Sequence, residues 1–229
     1  MNLQGMKIVI TGAFGTLGTA VVAGVRAAGA DVACIDAATA PSNASAFAQS
    51  IVLGGVDLTS AGGATAALNA AAEKLGGLDG LVNVAGTFRW ETLEGGTTDT
   101  WDLLYSVNVR TAVNATRAAL PNLKKGARIV NIGAAGAIKA GAGMGAYAAS
   151  KAGVAKLTEA LAEELKDRDI TVNAVLPSII DTPVNRADMP TAQFDRWVKA
   201  EQVADLIVFL LSPRASAITG ALIPITGRV

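Results

Sequence analysis

Short apolar runs alternate with longer stretches in which apolar residues return every three or four positions, and the alternation continues along the chain. A brief apolar run bounded by glycine or charge reads as a buried strand, and the longer recurrence as an amphipathic helix. Strands are predicted at Lys7–Ile10, Asp31–Ile35, Ile51–Val56, Gly80–Val84, Arg128–Ile132, Thr171–Leu176 and Ala221–Ile225. Helices are predicted up to about Ala28 and over Gly62–Leu75, Thr98–Leu120, Ala146–Lys166 and Gln202–Leu211. Pro121 stops the third of these, and Pro41–Ser50 reads as a loop or short helix. In the fourth, Val154, Leu157, Leu161 and Leu165 form one stripe, with Glu159, Glu163, Glu164 and Lys166 on the wet side. Val107 and Val113 are expected on a buried face of the third. Strand followed by helix, repeated, predicts an α/β protein: a single Rossmann-type, doubly wound parallel sheet of about seven strands with helices on both faces. Its ligands would lie at the carboxyl ends of the strands.

Composition narrows the chemistry. The 229 residues suffice for one domain with a full core. Lys plus Arg number 19, as do Asp plus Glu, so no bulk field draws nucleic acid or an anionic membrane. There is no histidine, which removes Ser–His and Cys–His catalysis and deprives a zinc site of its commonest ligand; no metal is expected. A single cysteine, Cys34, rules out an intramolecular disulfide framework and fits a reducing cytoplasm. The apolar start Lys7–Val25 has the look of a leader or membrane span, but regularly spaced glycines and the following Arg26 fit a strand–turn–helix unit better. A small-molecule partner is therefore expected, with neither nucleic acid nor membrane.

Thr11-Gly-Ala-Phe-Gly-Thr-Leu-Gly18 follows the first strand at once. Gly12, Gly15 and Gly18 allow a tight turn and close backbone approach, with Phe14, Thr16 and Leu17 between them. The next helix then offers free N–H groups to a pyrophosphate. Asp36 closes the second strand, where a carboxylate accepts both ribose hydroxyls and repels a 2′-phosphate. No Arg or Lys occurs between Gly12 and Gly18 or just after Asp36, which favours NAD(H). Tyr147 and Lys151 are four residues apart, on one face of a helix. A nearby ammonium favours the phenolate, so the expectation is a phenol with a lowered pKa, able to exchange protons near neutrality. Asn108 is a polar residue inside a helix and needs a reason. Phe88 and Trp90 follow Asn83-Val-Ala-Gly86 at a strand end and could stack on a flat ring.

The glycine turn, Asp57, Asn83-Val-Ala-Gly86, Val107-Asn108, Tyr147-x-x-x-Lys151 with Ala152-Gly153, and Leu176-Pro177 with Ile180 and Thr182 together resemble the short-chain dehydrogenase/reductase family. The resemblance implies that Asp57 binds the adenine amino group with Leu58 beside it, and that Asn83, Ala85 and Gly86 line the adenosine and central parts of the site. It makes Tyr147 the proton donor and Asn108 the holder of a relay water. Lys151 binds the nicotinamide ribose, and Pro177, Ile180 and Thr182 border the carboxamide. It also implies a homodimer or homotetramer. Two departures stand out. The middle glycine is Gly15, with Thr16 in the usual slot, and the active-site serine is replaced by Ala134. Both departures, with the stretch Leu176–Pro190, are similar to the dihydropteridine reductase branch, whose acceptor is a planar pterin. Ala134, Phe88, Trp90 and Tyr147 would then face the substrate, and Ser178 is a candidate substitute hydroxyl. Residues from about 183 to 200 would form a mobile lid, with Phe194 and Trp197 closing or packing it. The alternative is an NAD(H)-binding sensor that has lost the chemistry.

Overall fold

The computed structural model describes residues Met1–Val229. Seven strands form one parallel sheet in the order β3-β2-β1-β4-β5-β6-β9. They are β1 Lys7–Thr11, β2 Asp31–Ile35, β3 Ile51–Leu53, β4 Leu78–Asn83, β5 Leu123–Ile132, β6 Thr171–Pro177 and β9 Leu222–Ile225; a two-residue ladder joins β7 Ile180–Asp181 to β8 Val198–Lys199. The helices are α1 Thr16–Ala27, α2 Ala61–Leu75, α3 Thr98–Tyr105, α4 Thr111–Ala119, α5 Gly145–Glu164, α6 Pro183–Asp188 and α7 Ala200–Leu211. None is long and apolar enough to cross a membrane. The order reverses between β1 and β4, the position at which a doubly wound sheet opens a crevice.

Period-two alternation sends neighbouring strand residues to opposite faces. Ile8 and Ile10 of β1 join Val21, Val25, Ile207 and Leu211 of α1 and α7. Val9 between them joins Leu68, Ala115 and Leu161 of α2, α4 and α5. β3 ends at Leu53, short of the expected Val56, because Gly54 passes the Thr39 carbonyl so closely that a Cβ would lie 2.2 Å from its oxygen. β5 begins before the expected Arg128, and its register with β4 shifts between Leu78 and Gly80.

The expected helix Thr98–Leu120 is broken by a π turn over Ser106–Arg110, which holds Asn108. One inserted residue turns everything beyond it by about 100° around the axis. Val113 is exposed, contrary to expectation; the inward positions of α4 are Ala112, Ala115, Ala118 and Ala119, small enough for close approach to α2. The stripe Val154, Leu157, Leu161 and Leu165 does face inward.

The lid region is more fastened than a freely moving loop. Thr182 caps α6 by accepting the Asn185 N–H at 3.1 Å, and Arg186 forks onto Asp181 at 2.6 and 2.8 Å. Trp197 is buried with Phe194 tilted against it, so Trp197 roots the segment instead of closing it.

Beneath the carboxyl ends of β4 and β5 runs a buried polar ladder. Asn83 Nδ2 donates to Thr116 Oγ1 (3.1 Å) and Asn131 Oδ1 (2.9 Å), and Asn131 Nδ2 donates to Thr158 Oγ1 (2.9 Å). Buried amides left unpaired cost about 1–3 kcal/mol each. Asn131→Leu deprives Asn83 and Thr158 of partners at once. It should lower unfolding free energy by roughly 2–4 kcal/mol in urea titration; unchanged stability would contradict the ladder's structural weight.

Candidate active site

The turn from β1 to α1 is set by two glycines that the fold itself requires. Gly12 has φ +62, and a Cβ there would lie 2.6 Å from the main chain of Ala85; one at Gly18 would lie 2.1 Å from the Gly12 carbonyl oxygen. Gly15 differs. As the N-cap of α1 it has an ordinary extended backbone, and a Cβ would have no neighbour nearer than 3.7 Å. Its lack of a side chain keeps open the cleft in front of the helix N-terminus, which suits a bound pyrophosphate.

That cleft has a volume of about 470 Å³ and runs from Asp36 and Asp57 past Gly12, Gly15, Thr16, Leu17 and Gly18 to Ala85, Gly86, Val107 and Thr111. Its lining holds two carboxylates and no basic side chain. Asp36 is fixed there: Oδ2 accepts the Phe14 N–H and Oδ1 the Ala38 N–H, both at 2.9 Å. Asp57 accepts from the Thr59 hydroxyl (2.6 Å) and N–H (2.8 Å), which holds its carboxyl below the usual range.

Two expected cofactor contacts, the Phe14 ring and the Asn83 side chain, lie elsewhere. The Phe14 ring turns away from the cleft and meets Phe47 edge-on at 5.3 Å, leaving only its main chain on the Asp36 side. Leu58 does line the cleft beside Asp57, while its side chain also packs into the core on the α2 side. The Asn83 side chain lies in the ladder under the sheet end, because its amide finds Asn131 and Thr116 there. Pro177 and Ile180 line neither this cleft nor the larger groove of about 1040 Å³ beside it, between α1, α6 and α7; Thr182, Phe14 and Thr16 border that groove.

At the inner end, Gly86 makes room for the reactive groups. A Cβ there would lie 2.9 Å from Asn108 Oδ1 and 3.3 Å from Lys151 Nζ. Lys151 is buried, and its ammonium donates to the Ile132 carbonyl at 2.8 Å. Asn108 Oδ1 accepts the Thr87 N–H at 2.7 Å, while Nδ2 donates to the Thr87 carbonyl at 3.0 Å and to Ser150 Oγ at 2.9 Å. Ser150 Oγ in turn donates a hydrogen bond to the Tyr147 carbonyl at 2.7 Å. Ser150 carries no sequence signal as a site residue beyond its place next to Lys151. The Phe88 ring stands edge-on to Tyr147 at 4.9 Å.

Burial decides the protonation states. It pushes the Tyr147 phenol up to about 12 and the Lys151 ammonium down to about 8. The expected lowering of the phenol by the lysine is not found, since the ammonium is committed to Ile132 and desolvation is the one cause acting on the phenol. In this state Tyr147 is a proton donor, and Lys151 is the group poised near neutrality.

No hydroxyl stands at the position where the resemblance expects the serine. Ala134 is buried at the end of β5 in extended backbone. Ser178 does not replace its missing hydroxyl, because its Oγ donates to the Thr226 carbonyl at 2.8 Å. Trp90 is a stitch, not a stacking platform: its indole donates to the Ala142 carbonyl at 3.0 Å and covers Gly143, while the Glu91 N–H meets the Gly143 carbonyl at 2.9 Å.

A family model described as enoyl-(acyl carrier protein) reductase matches residues 12–227. The 3-oxoacyl-(acyl-carrier-protein) reductase of Pseudomonas aeruginosa is 34% identical over 245 residues, covering 99% of this chain and 98% of that one. A short-chain dehydrogenase/reductase from Serratia marcescens superposes with a TM-score of 0.91 at 32% identity, covering 100% of this chain and 99% of that one. A short-chain dehydrogenase from Burkholderia cenocepacia, solved in complex with NADP, gives 0.89 at 35% identity, covering 99% and 98%.

Gly15→Ala should leave the melting temperature unchanged while weakening dinucleotide binding at least tenfold, whereas Gly12→Ala should lower the melting temperature. Thermal scans paired with binding titrations check this, and a destabilised Gly15→Ala would contradict the cleft assignment. Lys151 falls from an ordinary 10.5 to about 8 on folding. Between those values the unfolded chain holds a proton that the folded chain has shed, so this group's contribution to stability improves as pH rises through the window. Urea unfolding without cofactor should show native protein gaining on Lys151→Met from pH 8 to 10.5; a flat difference would contradict the buried, readily neutralised amine.

Proposed function

The chain belongs to the short-chain dehydrogenase/reductase family of oxidoreductases, and on that premise we propose an NADH-dependent reductase acting on a small, planar, conjugated acceptor, pterin-like or carbonyl. The observation that carries this reading is a phenol packed edge-on against Phe88, with alanine at the chain position where the resemblance expects a serine. Ala134, thirteen residues before Tyr147, is buried and brings no hydroxyl to the place where the resemblance expects the second donor. A ketone's developing alkoxide benefits by several kcal/mol from each fixed donor. A conjugated ring spreads that charge over several atoms and has less need of a second.

Reduced nicotinamide supplies the hydride. Tyr147 gives the proton, Lys151 holds the ribose and restores the phenol's proton, and Asn108 keeps the Thr87 loop against the tyrosine helix beside a relay water. Gly12, Gly15, Thr16, Leu17 and Gly18 cradle the diphosphate, Ala85 and Gly86 the central part, and Asp57 the adenine. Thr182 would border the carboxamide from the neighbouring groove, whereas Pro177 and Ile180 line neither space. Asp36 supports NADH over NADPH: a 2′-phosphate in this cleft meets two carboxylates and no cation. The Burkholderia structure holds NADP; the preference proposed here rests on Asp36 of the present chain. Residues 183–200 act as a lid hinged on the Trp197 root. The outer faces of α3 and α4 expose Trp101, Leu103 and Val113, which fits a homodimer or homotetramer. The lone buried Cys34 fits a cytoplasmic protein.

Oxidation of NADH and NADPH, followed with a quinonoid dihydropterin and a carbonyl panel, tests the reading. NADH should be preferred and the conjugated acceptor turned over fastest. Tyr147→Phe should lose about 10²–10⁴-fold in turnover with NADH affinity kept; full activity would remove it as the proton donor. Asp36→Ala should erode the NADH preference, and an unchanged ratio would clear Asp36 of that role.

A further inference from the structure

Asn114 lies on α4, one turn past Thr111 of the cleft wall, and its amide points at the other end of the cleft from Asn108. Its Nδ2 donates to the carbonyls of both Leu58 and Thr59, each at 3.0 Å. These carbonyls lie between β3 and α2 and receive no main-chain hydrogen bond. The single amide nitrogen of Asn114 therefore supplies both of them. Thr59 in turn gives its N–H and hydroxyl to Asp57 Oδ1, and the Ser60 N–H adds to the hold on the carboxylate. The turn is held from two sides: the Leu58 side chain is sunk in the core, and Asn114 grips the main chain beside it. No other side chain among the hydrogen bonds of this turn reaches it from outside residues 57–60.

We propose that Asn114 is a positioning residue for recognition of the purine base. By fixing the carbonyls of residues 58 and 59 it sets the direction of the Thr59 donors, and through them the orientation of the Asp57 carboxylate. A carboxylate held in one orientation accepts a hydrogen bond from an exocyclic amino group and repels a ring carbonyl in the same place. The site therefore distinguishes adenine from hypoxanthine, and Asn114 is what makes the distinction sharp. Without its two N–H donors the turn retains its place in the core through Leu58, but the Thr59 donors, and with them the carboxylate they hold, lose their fixed direction toward the cleft. This rests on the proposed reading that the Asp57 turn receives the adenine end of the cofactor.

The test compares dissociation constants of NADH and of its hypoxanthine analogue for native protein, Asn114→Leu and Asn114→Ala. The alanine variant serves should leucine at this half-buried position disturb folding. Native protein should bind the adenine form at least tenfold more tightly. In the variants NADH affinity should fall toward that of the analogue, so that the ratio approaches one, while turnover at saturating NADH stays unchanged. A merely structural role would weaken both dinucleotides together and leave their ratio intact. Native protein that does not discriminate would remove the adenine reading of the Asp57 turn, and this proposal with it. Native protein that discriminates, with variants that discriminate equally, would overturn the assignment to Asn114 alone.

Discussion

A lysine ammonium sealed from water is the constraint around which the reacting end is built. Taking such a charge out of solvent is costly, and every pK unit of displacement corresponds to about 1.4 kcal/mol. Lys151 meets that cost with one direct partner, the Ile132 carbonyl, and by moving down to about 8. The neighbourhood follows from this placement. Gly86 has no Cβ because one would press on both Lys151 and Asn108. The phenol one turn earlier shares the same desolvated pocket and is driven in the opposite direction, up to about 12. Desolvation outweighs the attraction between the two groups while the ammonium is bound to the carbonyl.

The interrupted helix α3–α4 links the two ends of the cleft. Asn108, inside the π turn, grips the Thr87 main chain and, through Ser150, the tyrosine helix. Asn114 on the following helix grips the turn after Asp57. Thr111 and Val107 between them form part of the wall. One element thus sets the spacing between the acidic end and the phenol end, and a π turn is a known device for aiming a side chain out of regular helical phase.

Much of this was legible in the residues. The glycine turn, Asp36 at its strand end and the Tyr147–Lys151 pair are short-range patterns in which spacing alone fixes geometry. The seven strands and the inward stripe of α5 follow from periodicity in the same way. What spacing does not carry is side-chain direction across long sequence separations. Phe14 turns to Phe47, Asn83 to Asn131 and Trp90 to Ala142, each drawn by a partner that only the folded chain brings near. Val113 faces solvent because α4 packs through alanines, and Trp197 is buried because its flanking β8 pairs with β7. The direction of the Tyr147 shift departs from the sequence expectation for a related reason: adjacency on a helix is visible in sequence, whereas the Ile132 carbonyl that competes for the ammonium is not.

The central claim is spatial: the phenol faces the reactive ring of a dinucleotide lying in the glycine-lined cleft. The chain has two tyrosines, Tyr105 and Tyr147, so Tyr105→Phe leaves a single isotope-labelled ring to observe. Nuclear Overhauser contacts from that ring to bound NAD(H) measure the arrangement directly. The account predicts contacts to the nicotinamide ring protons and none to the adenine protons. Contacts to adenine, or none at all with the cleft saturated, would contradict it.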